Sequence, residues 1–285
     1  MTVTILTDST SYLGKEIRKE LDIKMVSLNL SFGHESMREV DLDNDQFYKL
    51  MATHGIPTSS QPSVGDMQKE MLEVIEKGHN LCCIFLSSDM SGTFSTAQIA
   101  KDMVLEKHHN ARIEIVDSRS NCMQLGFAVI LAARAAKAGQ ALEQVKEAAL
   151  ETIKRSRFLF IPENLDYLKK GGRIGGASAL IGNLFKIIPI LTVEDGKTTI
   201  LMKVRTKKNA VLAMTEKMLQ DIGRYGLGEL VVHHINCLNE AKQLATVLED
   251  KLKVTVDIMD IGPVIGLHVG PGAIAIAYYT NKAMR

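Results

Sequence analysis

The chain has 285 residues, 46% hydrophobic and 24% charged, with 34 Lys and Arg against 33 Asp and Glu. Such composition excludes long disorder, collagen and coiled coil, and a formal net charge of +1 supplies no global field that would draw in nucleic acid. No apolar stretch approaches the ~18 residues of a membrane-spanning helix.

The N-terminal MTVTILTDSTS reads as a strand without a basic leader, so a cytoplasmic protein is expected. Residues 3–6 form a strand closed by Asp8-Ser9-Thr10-Ser11, with a helix over 13–21. Helices follow at 45–54 and 64–77, the second opening after PTSSQPS (57–63) with Ser63 as N-cap. A strand at 81–86, a hydroxyl-rich turn at 87–92 and a helix at 93–106 repeat the pattern. A strand at 113–116, the turn Asp117-Ser118-Arg119-Ser120 and an Ala-rich helix to 137 repeat it again. Continuous apolar strands alternating with helices argue for a parallel sheet buried on both faces.

After a helix at 141–156 the style changes. The sequence predicts a strand at 158–161, a helix at 165–170, the loop GGRIGG (171–176) and an extended segment at 186–193, where Pro189 breaks any helix. Glu194-Asp195-Gly196-Lys197 is a hairpin turn with its returning strand at 198–204. Then come a helix at 210–222, a strand at 230–235, a helix at 240–252, and strands at 254–260 and 274–279 separated by a glycine-rich turn at 261–272. The expected fold is α/β in two domains: a mainly parallel three-layer domain over 1–160, and an α/β domain with a mixed sheet over 161–285.

Ligands of open α/β sheets bind beyond the carboxyl ends of the strands. Here those ends carry hydroxyls. Ser91 and Thr93 flank the first turn of a helix, where free N–H groups favour an anion, although simple capping uses the same residues. Thr58, Ser59 and Ser60 lie between two prolines that restrain their loop. His268 sits in GLHVGPG and can carry a charge near neutral pH. Arg173 lies in the glycine-rich loop, and Lys203, Arg205, Lys207 and Lys208 form a cationic cluster. His233 and His234, in an apolar strand, read as structural. Cys82, Cys83, Cys122 and Cys237 have no metal-ligand spacing and read as buried free thiols, with Cys82 and Cys83 on opposite strand faces. There is no Walker loop, no HExxH, and no nucleophile elbow, since GASAL (176–180) fails at its last position.

LTDSTSYL (6–13), PTSSQPS (57–63), SGT (91–93), VDS (116–118), LKKGGRIGGASALIGN (168–183), VRTKK (204–208) and GPVIGLHVGPG (262–272) occur in this order. Together they resemble the DegV family of bacterial fatty-acid-binding proteins, which includes the acyl-carrying subunit of fatty acid kinase. The resemblance implies one long-chain fatty acid, and no cofactor, buried between two α/β domains. Its carboxylate would be held by Thr58 and Ser91, with His268 nearby. Ser59 stands where members commonly have a second threonine, which keeps the hydroxyl and loses a methyl. The resemblance further implies a carrier that presents the carboxylate to a separate ATP-dependent kinase for conversion to acyl phosphate. Arg173 and Arg205 would then face that kinase or its phosphate, and the protein would touch the membrane surface during exchange, with 171–190 as the gate. Ile130, Leu131, Leu180, Ile181, Leu184, Phe185, Ile187, Ile188 and Ile190 are candidates for the tunnel lining. Two alternatives remain at this level: a serine acyl-hydrolase built from Ser91, His268 and Asp8 or Asp117, and a lipid-sensing module without delivery.

Overall fold

The structure is a computed structural model describing residues 2–180 and 187–284. The first half runs β1 (Val3–Asp8), α1 (Lys15–Glu20), β2 (Ile23–Val26), β3 (Asn29–Phe32), β4 (Glu35–Arg38), α2 (Asn44–His54), β5 (Thr58–Ser60), α3 (Val64–Ile75), β6 (Asn80–Phe85), α4 (Thr93–Leu105), β7 (Ile113–Asp117), α5 (Cys122–Lys137) and α6 (Leu142–Lys154). The second half runs β8 (Ser156–Ile161), α7 (Asp166–Lys170), β9 (Ile188–Glu194), β10 (Lys197–Val204), α8 (Lys207–Tyr225), β11 (Leu227–His234), α9 (Leu238–Leu252), β12 (Asp257–Asp260), α10 (Pro263–Val269) and β13 (Ile274–Thr280).

β2, β1, β6 and β7 form a parallel sheet in that order. Every residue of β1 and β6 is buried, including Thr4, Thr7 and Asp8 of β1, as expected for strands covered on both faces. Cys82 and Cys83 fall into different core clusters on the two faces of β6, as alternation demands. The second sheet has the order β10-β9-β8-β13-β11-β12 and is mixed, with β11 and β12 its parallel pair. The boundary expected at residue 160 falls inside β8, whose partners β9 and β13 both belong to this second sheet.

α5 lies between the two sheets and packs against β1, β6, β8 and β13. Its small residues permit the close approach: a Cβ on Gly126 would come within 2.9 Å of the Ser11 carbonyl oxygen. One core cluster therefore draws on both sheets, from Ile5 and Cys82 to Phe158, Phe160 and Ala277.

Two features depart from the sequence reading. Residues 23–38, given no elements there, hold β2 and the β3–β4 hairpin, and β4, β3 and β5 make a small antiparallel sheet. Gly33, at φ +60°, begins the two-residue connection between Phe32 and Glu35. The segment 261–272 is not a glycine-rich turn: it contains the fully buried helix α10. Gly262 and Gly270 are its end residues and Pro263 is its first helical residue, so the punctuation marks the limits of a helix.

Candidate functional site

A cavity of about 60 Å³ lies between the carboxyl edge of the parallel sheet and the mixed sheet, where the small sheet and α10 meet them. Its polar lining residues include Ser59, Ser91, Asn121, Arg173 and His268; its apolar ones include Leu28, Leu86, Phe158, Phe160, Val264 and Ile265. Phe158 and Phe160 are stacked, with centroids 5.2 Å apart. The enclosed space is well below the ~300 Å³ at which typical small-molecule pockets begin.

β5 positions Ser59. It pairs with β3, setting Ser59 opposite Leu30, and Ser59 Oγ lies 2.9 Å from His268 Nε2. Neighbouring strand residues face opposite ways, so the strand that aims Ser59 at His268 leaves Thr58 exposed and outside the cavity lining. Ser59 and Ser60 both line the cavity, and Ser59 is the half-buried one whose hydroxyl meets His268. Gln61 also lines the cavity and lies over Gly92, where a Cβ would come within 2.9 Å of its amide nitrogen.

Ser91 precedes α4. Its Oγ is 2.9 Å from Thr93 Oγ1 and accepts a 3.3 Å bond from Thr93 N–H. The N-cap of α4, Gly92, supplies no side-chain acceptor to the first turn, which leaves that turn suited to an anion. Arg173 reaches the rim of the same cavity, its Nε donating to Met90 O (3.0 Å) and its NH1 to Gly171 O (2.7 Å).

His268 is 9% exposed. Burial, and secondly the charge of Arg173, push its pKa down from 6.5 to about 4, so in this state the ring is neutral at pH 7 rather than the imidazolium its residue type first suggests. Among the described residues its Nδ1 has no hydrogen-bond partner; it faces Gly171, where any Cβ would overlap the ring. If Nε2 carries the proton, it donates to Ser59 Oγ and leaves the serine hydrogen free for a ligand. Asn121 went unnoticed in the sequence. It is buried, its Nδ2 bonds Met90 Sδ at 3.2 Å, and its Oδ1 has no partner among the described residues. The only sequence signal was its place directly after a hydroxyl-rich strand end.

Other expected residues lie elsewhere. Arg205 is exposed at the end of β10 and does not line the cavity. Lys207 pairs with Glu163 at 2.7 Å. Of the expected tunnel residues, Ile181, Leu184 and Phe185 lie outside the described residues. Leu180 and Ile190 are packed in core, and Ile130 lines a separate groove beside Met123 and Phe127. The cavity takes its aromatic wall instead from β8, whose alternating phenylalanines face α5.

A serine hydrolase relay is not assembled among the described residues. Ser91 bonds Thr93, and His268 bonds Ser59. Asp8 accepts from Thr10 N–H, Thr10 Oγ1 and Leu86 N–H, and Asp117 accepts from Ser88 and Arg119. His233 is structural: Nδ1 bonds Met259 O at 3.1 Å and Nε2 accepts from Met123 N–H at 3.3 Å. The four thiols are buried, and burial raises the pKa of each. Among the described residues there is no cluster of three or more His, Cys, Asp or Glu that could hold a metal, and no helix long and apolar enough to cross a membrane.

The sequence and the fold have relatives among known proteins. A family model described as "Uncharacterised protein, DegV family" matches residues 2–281. A DegV domain-containing protein of Clostridium acetobutylicum is 62% identical over 285 residues, covering all of both chains. The crystal structure of DegV from Bacillus subtilis, described as a fatty acid binding protein, matches with a TM-score of 0.88 and 34% identity over 98% of this chain and 99% of that one. A stearic acid-binding protein from Eubacterium ventriosum matches with a TM-score of 0.88 and 25% identity, covering 97% and 98% of the two chains.

Proposed function

The chain belongs to the DegV family, and on that footing we propose that it binds one long-chain fatty acid, its carboxylate held by Ser59, Ser91 and Arg173 and its tail lying against Phe158 and Phe160. The observation that carries this reading is the lining of the cavity, where the hydroxyl-bearing Ser59 and Ser91 and the cationic Arg173 share the walls with Leu86, Phe158, Phe160 and Ile265. The fatty-acid-binding descriptions of the Bacillus and Eubacterium proteins support it.

The energetics are consistent. A C16 tail has about 14 methylenes, each contributing about 0.8 kcal/mol on leaving water, roughly 11 kcal/mol before association and ordering costs. An unpaired buried carboxylate would cancel much of this. Two hydroxyl donors, the first turn of α4 and the Arg173 charge offset that cost. Neutral His268 acts through Ser59, holding its oxygen so that the hydroxyl hydrogen points at the ligand. The small enclosed volume means that the tail enters by displacing side chains, the Phe158–Phe160 stack foremost.

In the fuller form of this reading the protein is a carrier. A separate ATP-dependent kinase transfers the γ-phosphoryl group of ATP to a carboxylate oxygen, giving acyl phosphate and ADP. The 1–160 part carries Ser59 and Ser91, and the 161–285 part closes over the chain. In this reading Arg173 and Arg205 meet the kinase or its phosphate, which their exposure and positive charge support. A cytoplasmic location with transient contact at the membrane surface belongs to the same reading. Denaturing mass spectrometry of an organic extract of the purified protein tests the binding step. A co-purifying long-chain fatty acid is expected. An extract without one, from a protein that also takes up none on incubation, overturns the reading.

A further inference from the structure

Glu39 is a carboxylate that the proposed site does not use, yet it is only 4% exposed and lies where four parts of the fold converge. It opens the 3-10 turn that follows β4, and its own N–H is bonded to Leu28 O at 2.9 Å. Its Oε2 accepts from Ser9 Oγ, in the turn after β1. Its Oε1 accepts from the Tyr12 hydroxyl at 3.1 Å and from Val264 N–H, in the first turn of α10, at 2.9 Å. The Tyr12 hydroxyl in turn accepts from Ile265 N–H at 3.2 Å and lies 3.3 Å from Gly262 O. Two N–H groups that a helix start leaves without intrahelical partners are thus taken by two side chains from the other half of the chain. The fit is close: a Cβ on Gly262 would lie 2.5 Å from Tyr12 Cε1 and 3.0 Å from Glu39 Oε1.

α10 carries His268 one turn further on, and His268 meets Ser59. Ser59 belongs to β5, which pairs with β3. β3 also pairs with β4, the strand that delivers Glu39. The small sheet therefore grips α10 at two points, through Glu39 at its start and Ser59 near its end. With both points held, the helix can neither rotate nor slide, and the imidazole stays against the serine.

We propose that Glu39, with Tyr12, is a positioning residue for the carboxylate site: by bonding the first turn of α10 it sets the helix register that places His268 Nε2 on Ser59. The consequence for ligand affinity rests on the fatty-acid reading; the geometric claim does not.

The two are separated by nitrogen-15 NMR of the histidine ring in the ligand-free full chain, alongside titration with palmitate. In Glu39→Ala, the His268 ring resonances should move towards those seen in Ser59→Ala, where the partner is gone. The dissociation constant for palmitate should rise about tenfold or more, the loss expected when a charged group leaves its hydrogen bonds. Glu39→Gln keeps an acceptor for Val264 N–H and a donor for Ser9, so it should retain the wild-type resonances and bind within about threefold of wild type. Wild-type ring resonances in Glu39→Ala would overturn the proposal, as would a Glu39→Gln protein that behaves like Glu39→Ala. Should Glu39→Ala not fold, Tyr12→Phe is read in its place: a smaller shift in the same direction is expected, and none would overturn it. If the wild-type chain takes up no palmitate, the fatty-acid reading fails, and the ring resonances still decide the role of Glu39.

Discussion

Ser87 Oγ donates a 2.7 Å hydrogen bond to the Gly196 carbonyl, which fastens the carboxyl end of β6 to the turn between β9 and β10. Arg119 adds a bond to Asp195 O and an ion pair with Asp89, which also faces Lys197 at 3.4 Å. The crevice where open α/β sheets usually bind ligands is here partly filled by a hairpin of the second sheet. Val193 and Thr198 of that hairpin line the cavity, so the fastening closes one of its sides.

Gly196→Ala should therefore loosen the closure. The residue has φ +79°, and an added Cβ would lie 2.6 Å from Arg119 Cζ and 2.7 Å from Ser87 Oγ. The expected loss is about 1–3 kcal/mol from the strained backbone and the displaced bond. Thermal denaturation checks it; an unchanged melting temperature would show that the turn is not held as described.

Alanine substitutions within the PTSSQPS loop distinguish the geometry from the family pattern. Ser59→Ala and Ser91→Ala should each weaken fatty acid binding by about 1–3 kcal/mol, the usual loss on removing a partner of a charged group. Thr58→Ala, at an exposed side chain outside the cavity, should change it by less than about 0.5 kcal/mol. Titration with a fluorescent fatty acid measures all three. A large effect at Thr58 with none at Ser59 would reverse the assignment.

Glu39 predicts a pH dependence. Burial, outweighing its bonds to Ser9, Val264 and Tyr12, raises its pKa from 4.5 to about 7, with a smaller push from Asp8. Between those values the folded state holds a proton that the unfolded chain has released, so stability falls as pH rises and the loss levels off above about pH 7. The shift corresponds to roughly 3 kcal/mol. Asp8, raised to about 6, acts in the same direction. His233 and His268, lowered to about 4, act oppositely below pH 6.5, so the wild-type curve alone is uninformative. The Glu39→Gln variant isolates the effect. Its stability relative to wild type should grow as pH rises from 5 to about 8. Urea denaturation at several pH values measures the gap, and a constant gap would contradict the buried charge.

Arg205→Ala should leave fatty acid affinity within about twofold, because the side chain is exposed and outside the cavity. It should lower acyl phosphate formation with an added ATP-dependent fatty acid kinase, as expected for a rim charge that steers a partner. Reduced affinity with unchanged turnover per bound ligand would remove Arg205 from the proposed docking face.

What could be read from the sequence divides along physical lines. β6 and α5 were legible because burial on both faces of a strand, or around most of a helix, leaves long apolar runs that tolerate few alternatives. β3 and β4 were not: each is a four-residue strand with mixed exposure, which leaves no clean alternation of apolar and polar residues to read. α10 was hidden by its own end signals, since Gly262, Pro263 and Gly270 crowd a seven-residue helix and read as a turn. Ser59, Ser91, Arg173 and His268 were found as residue types on suggestive loops. That Ser59 rather than Thr58 faces the cavity depends on strand alternation inside β5, which could not be read until β5 was known to pair with β3. Glu39 had no sequence signature, because its importance comes from partners brought to it only by folding, Val264 lying 225 residues further on.

Calorimetric titration of palmitate into delipidated protein puts the most direct question to the whole account. It should give saturable binding at one site per chain, with the heat largely abolished in a Ser59→Ala/Ser91→Ala double variant that remains folded. Wild-type protein that shows no saturable heat, or a double variant that binds as tightly as wild type, would contradict it.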